Sequence, residues 1–122
     1  MIERLADAPA GVSAFRASGE VSADDYRQVL ESDLGAAAEA GEIRLLYVLD
    51  SDFSMTAGAY LQDTKLGLGI GYAHHSAWKR TAIVTDLDWL RRSLHAFAWM
   101  VPGELRVFAI DELEEAKAWV AG

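Results

Sequence analysis

The chain has no cysteine. Disulfides, thiolate metal sites and a cysteine nucleophile are therefore excluded, and the composition suits a reducing compartment such as the cytoplasm. Proline is scarce, with two residues, so few segments are barred from helix or strand. The first residues, "MIERLADAPAG", hold no apolar run of signal-peptide length. No stretch approaches the ~20 apolar residues of a membrane span. Basic residues are in the minority, 11 Lys and Arg against 19 Asp and Glu, a net charge of −8. That balance argues against nucleic-acid binding, which leans on cations to neutralise phosphates. The deficit is uneven. Residues 64–106 carry a local excess of +3 from Lys65, Lys79, Arg80, Arg91, Arg92 and Arg106, and the remainder carries −11. A basic middle in an acidic chain is either an anion or membrane-surface face or ordinary surface charge.

What is present is a globular composition, 52% hydrophobic over 122 residues, which suits a single domain spanning residues 1–122. "MIERLAD" and "GVSAFRASG" read as two short strands broken at Pro9, Ala10 and Gly11. "SADDYRQVLESDLGAAAEAG" reads as a helix. Ser22 is placed to cap it, Asp25 to complete a capping box, and Gly41 to stop it. Tyr26, Val29, Leu30, Leu34 and Ala37 share its apolar face. "IRLLYVLD" is apolar at nearly every position from Ile43 to Leu49, the pattern of a strand buried on both faces. A helix over about 56–68, the buried strand "KRTAIVTD", the helix "LDWLRRSLHAFAWMVPG", the strand "ELRVFAI" and the helix "DELEEAKAWVAG" follow. Asp86 and Asp88 flank the start of the third helix as caps, and Asp111 caps the last. The order ββαβαβαβα implies an α/β fold with a mixed, mostly parallel sheet and right-handed crossovers.

With the elements in this order, "IRLLYVLDSDF", "WKRTAIVTD", "WLRRSLHAFAWMVPGELRVF" and "DELEEAKAWV", with a weaker match in "GEVSADDYRQVL", resemble the SpoIIAA-like (STAS/SEC14-type) family of small bacterial proteins. The resemblance implies a STAS-like sheet of four to five strands with helices packed on one side. It also implies kinship with CRAL-TRIO lipid-carrier domains and peripheral membrane association.

In the anti-sigma-factor antagonists of that fold, a D-S-S-G-L-G motif at the second strand-to-helix junction is phosphorylated on its second serine. Aligning it on "MTAG" places Ala57, which has no hydroxyl, at the acceptor. Thr56, Ser54 and Ser51 remain as neighbouring hydroxyls. Capping is the ordinary use of such residues at a helix start, and Asp50 and Asp52 would repel a phosphate. Thr56 is retained as the phosphorylation candidate.

The G-x-G-x-G of "GLGIGYAHH" follows a helix rather than a strand, so it does not fit a dinucleotide loop. It reads instead as a weak helix end suited to a lid. His74 and His75 are adjacent, with no third ligand in view, so no metal site is assigned. Ser93 and His95 lie two apart on a helix and do not face each other. No catalytic set emerges, no cofactor is implied, and the chain is read as a non-enzymatic domain. The third helix carries apolar bulk beyond its core face, in Trp89, Trp99 and Met100, beside Arg91 and Arg92. Tryptophan next to arginine suits a membrane interface or an amphipathic ligand. The expected ligand-binding residues are Tyr60, Leu61, Leu68, Tyr72, Trp78, Trp89, Arg91, Arg92 and Trp99. The expected partner is an apolar or lipid-like small molecule, with a membrane surface or a homodimer as further outlets for the same apolar bulk. The competing reading is a protein–protein regulator of the anti-sigma-factor-antagonist type, docking through the face around Thr56.

Overall fold

The computed structural model describes residues 1–55, 75–97 and 103–122. Within them lie seven strands: β1 (Ile2–Arg4), β2 (Ser13–Ala17), β3 (Glu20–Val21), β4 (Ile43–Leu49), β5 (Ser54–Met55), β6 (Trp78–Thr85) and β7 (Glu104–Phe108). Helix α1 runs over residues 23–39 and has a π-helical middle, Tyr26–Glu31. Helix α2 is Asp88–Phe97. Helix α3 is Leu113–Ala121, entered through the 3₁₀ turn Ile110–Glu112. The helix expected over 56–68, with the glycine motif and His74, lies outside the described residues.

Five strands form one sheet in the order β1-β2-β4-β6-β7. The opening hairpin is antiparallel, Ile2 facing Ala17, and every other pair is parallel. The strand order advances in one direction only. Right-handed crossovers that step the same way leave their helices on one face. Accordingly α1 and α2 share a face. Leu30, Leu34 and Ala38 of α1, with Leu90 and Leu94 of α2, pack on Phe15, Leu45, Tyr47, Leu49 and Ile83. Helix α3 follows the last strand and is no crossover, so that rule does not bind it. It covers the opposite face, where Ala116 and Val120 pack on Ala14, Leu46, Val48, Ala82, Val84 and Phe108. The expectation of helices on one side therefore holds for α1 and α2 and fails for α3. The alternation along β4, Leu45 and Tyr47 to one core and Leu46 and Val48 to the other, is why that strand reads as apolar throughout.

Two irregularities shape the sheet. Ile43 faces Trp78 but Arg44 faces Arg80, so Lys79 is an extra residue, a β-bulge at the start of β6. The bulge turns Trp78 toward the α1–α2 core. Gly103 approaches this bulge so closely that a Cβ on it would stand 2.8 Å from Trp78 O and 2.9 Å from Lys79 O. Its φ of +76° also favours glycine.

The caps are partly as expected. Ser22 Oγ accepts the Asp25 N–H at 3.3 Å and Asp25 Oδ2 accepts the Ser22 N–H at 2.9 Å, a closed capping box. Gly41, at φ +92°, ends α1. Asp86 and Asp111 do not cap their helices. The Asp86 carboxylate accepts the Ile110 N–H at 3.1 Å, tying the start of α3 to the end of β6. Glu112 reaches back to the Ala109 N–H at 2.8 Å, in the place expected of Asp111. Each carboxylate goes to the nearest orphan donor, and here the tertiary packing brings in a different donor from the one the chain order suggests.

Candidate functional site

The "VLDSDFSM" stretch leaves β4 at the C-terminal edge of the parallel strands. The Asp50 N–H donates to Ala17 O at 3.0 Å, extending the β2–β4 ladder by one bond. Arg16 Nε reaches both Asp50 carboxylate oxygens at 3.0 Å. This hydrogen bond, then the charge of Asp50, holds the Arg16 guanidinium above its ordinary pKa. The Phe53 N–H closes a turn on Asp50 O at 3.0 Å, and the Ser54 N–H donates to Gly19 O at 2.9 Å. Ser54–Met55 then pairs in parallel with Glu20–Val21. The polar run is thus a turn followed by a short strand. Ser51 and Ser54 are exposed and cap no described helix, while Thr56, the phosphorylation candidate, lies outside the described residues.

The turn pushes Phe53 into the core, where it is buried, and stacks it against Trp89, ring centroids 6.5 Å apart at 12°. Trp89 remains 53% exposed. It stands in the first turn of α2, whose start is fixed by three bonds. The Leu87 N–H donates to Thr85 Oγ1 at 3.2 Å, the Arg91 N–H to Leu87 O at 3.0 Å, and Arg91 Nη1 to Thr85 O at 2.9 Å. Arg91 is therefore a structural clamp between α2 and β6 rather than a free cation. Arg92, one turn from Trp89, is exposed and pairs with no described acid. Ser93 donates to Trp89 O at 2.9 Å. With Ala96, these residues make the outward face of α2, while Leu90 and Leu94 face the core.

Of the expected ligand-binding residues, Trp89, Arg91 and Arg92 are brought together at this edge. Trp78 is not with them. It opens β6 while Trp89 follows its end, a separation of roughly 20 Å along the strand at ~3.3 Å per residue. Trp78 packs against the α1–α2 core. Its buried Nε1 and the Thr81 hydroxyl find no hydrogen-bond partner among the described residues. Tyr60, Leu61, Leu68, Tyr72 and Trp99 lie outside the described residues. Phe53 is the member that sequence reasoning missed. Its signal was an apolar residue isolated in a polar run, which marks an anchor as readily as a loop. Trp119 sits on the other face of the sheet, on α3, with Phe108 at 5.9 Å and the Arg80 guanidinium 5.0 Å over its ring.

No described group of three or more His, Cys, Asp or Glu side chains is arranged to hold a metal ion. No described helix is long and apolar enough to cross a membrane. The chemistry at this edge is aromatic contact and charge.

The comparisons with known proteins agree with the topology. The crystal structure of an uncharacterised protein from the DUF3478 family with a SpoIIAA-like fold, from Shewanella loihica PV-4, superposes with a TM-score of 0.68 at 26% identity, covering 98% of this chain and 90% of that one. No curated protein matches the chain. The SpoIIAA-like family profile matches residues 12–121, which takes in every described strand but the first and the three described helices. The chain belongs to the SpoIIAA-like family.

Proposed function

We propose that this SpoIIAA-like domain is a non-enzymatic binding module that takes an apolar, lipid-like molecule with an anionic group, or the anionic surface of a membrane, on the outward face of α2. The observation that carries this reading is Trp89, half exposed, braced by Phe53 and one helical turn from Arg92, which has no acidic partner among the described residues. A rigid aromatic ring supplies contact area at low entropic cost. An exposed guanidinium supplies charge-assisted hydrogen bonds to a carboxylate or phosphate.

The test is titration with vesicles of phosphatidylglycerol and of phosphatidylcholine, and with decanoate, followed by tryptophan fluorescence. Trp89→Ala and Arg92→Gln should each weaken the anionic interaction. A saturable signal that neither variant changes would overturn the reading, as would no signal with any probe.

A second reading is a regulator that docks a protein partner at the same edge. Asp52, Asp88 and Asp111 favour it, because all three are exposed and all follow the C-terminal ends of parallel strands. Such a face suits a basic partner and opposes an anionic bilayer. Neutralising the aspartates separates the two. A basic partner would bind through those aspartates, so Asp52→Asn with Asp88→Asn would weaken it, while the same pair would strengthen binding to anionic vesicles.

A further inference from the structure

At the opposite end of the sheet, where the parallel strands begin, a cleft of about 800 Å³ opens between the β1–β2 turn, the last turns of α1, the start of β4 and Ala121 of α3. A volume of this size is that of a small-molecule site. The cleft persists because its walls are small side chains: Ala8 and Ala10 on the turn, Ala36, Ala37 and Ala40 on α1. Its floor touches both cores. Ala37 packs at the margin of the α1–α2 core, and Leu5, Ala8 and Val12 at the margin of the α3 core.

The rim carries four charges in two closed pairs. Arg4 forks Asp33, Nε to Oδ2 at 2.7 Å and Nη2 to Oδ1 at 3.0 Å. Arg44 donates from Nε to Glu42 and from Nη1 to Val120 O at 2.8 Å. The bond to Asp33 raises the Arg4 pKa, and the bond from Arg44 lowers that of Glu42. Each arginine thus faces one carboxylate. The cleft therefore has no net charge. An ionic ligand would meet a like charge or have to open a pair. A neutral ligand meets neither obstacle. It finds one terminal guanidinium nitrogen on each arginine, Arg4 Nη1 and Arg44 Nη2, with no acceptor among the described residues. The carboxylates can in turn accept a hydroxyl.

We infer that this cleft binds a neutral small molecule with an apolar body and a hydroxyl or carbonyl end. The paired rim provides selection against ions, and the alanine walls provide the room.

Three probes with one body test it: cyclohexanol, cyclohexanecarboxylate and cyclohexylammonium, titrated into the full chain while alanine methyl signals are followed by NMR. Cyclohexanol should shift the methyls of Ala8, Ala37 and Ala121 saturably, and both ions should bind about tenfold more weakly or not at all. Ala36→Leu, at an exposed helical position, should fill the cleft and abolish the response with the fold intact by thermal unfolding. Trp89→Ala should leave it unchanged, which separates this site from the α2 surface. Equal affinity for the three probes, no saturable shift, or full binding in Ala36→Leu would overturn the inference.

Discussion

Arg44 and Arg80 stand side by side in register on β4 and β6 and both point at the end of one helix. Arg44 Nη1 donates to Val120 O at 2.8 Å and Arg80 Nη1 to Trp119 O at 2.6 Å. Two like charges directly opposite on neighbouring strands would repel. The carbonyls and partial negative charge at the C-terminus of α3 offset that repulsion. Glu42 beside Arg44 and Glu104 beside Arg80 complete the neutralisation. The pair fixes where α3 ends on the sheet.

Arg80→Gln should therefore destabilise the fold by about 1.5 kcal/mol, the scale of a charge-assisted hydrogen bond to a carbonyl. Urea unfolding measures it. Emission from Trp119 should change as well, since the Arg80 guanidinium lies over its ring. An unchanged urea midpoint would show that α3 docks through its apolar face alone.

Gly103→Ala should cost more than Gly41→Ala. Both glycines have positive φ, a strain of roughly 1 kcal/mol for alanine. A Cβ at Gly41 meets nothing within 4 Å, whereas at Gly103 it meets two backbone oxygens of the bulge below 3.0 Å. We expect a loss of about 1 kcal/mol at Gly41 and of roughly 3 kcal/mol at Gly103, from paired denaturation curves. Equal losses would mean that the bulge yields.

Lys117, buried on α3, donates to Asp7 Oδ2 at 2.7 Å and holds the β1–β2 turn down. This bond lowers the Asp7 pKa from 3.8 and raises that of Lys117 from 10.5. The Asp7 contribution is full above 3.8 and is lost as pH falls through its lowered value. The Lys117 contribution is full below 10.5 and is lost as pH rises through its raised value. Lys117→Met should remove the Asp7 share of the acid limb and the Lys117 share of the alkaline limb. Urea midpoints followed from pH 2 to 12 would check this, and curves for the two proteins running parallel at both ends would refute it.

Phe15→Ala and Trp89→Ala should separate stability from binding. Phe15 is wholly buried between α1 and the sheet, so its loss should cost roughly 3–5 kcal/mol. Trp89 is half exposed, and its removal should cost well under half of that by the same denaturation assay while weakening the binding of anionic vesicles. A larger loss at Trp89 than at Phe15 would make the Phe53–Trp89 stack a core contact rather than a docking surface.

The sequence by itself determined what depends on neighbours along the chain. Ser22 and Asp25 sit three residues apart, so their capping box needs only one helical turn. Gly41 stops α1 by its own backbone freedom, and the unbroken apolar run from Ile43 to Leu49 already demands cover on both faces of β4. The family was legible for the same reason, because it rests on the order of such local patterns. The tertiary structure alone decided what depends on contacts between distant segments. Periodicity states that a helix has an apolar face, not which side of a sheet receives it, so α3 could be placed opposite α1 and α2 only by the packing. Asp86 found Ile110, Phe53 found Trp89, and the bulge at Lys79 found Gly103 across 24, 36 and 24 residues respectively. The cleft bounded by Arg4, Asp33, Glu42 and Arg44 is set by which side chains are absent from a shared space, and no stretch of sequence records a space.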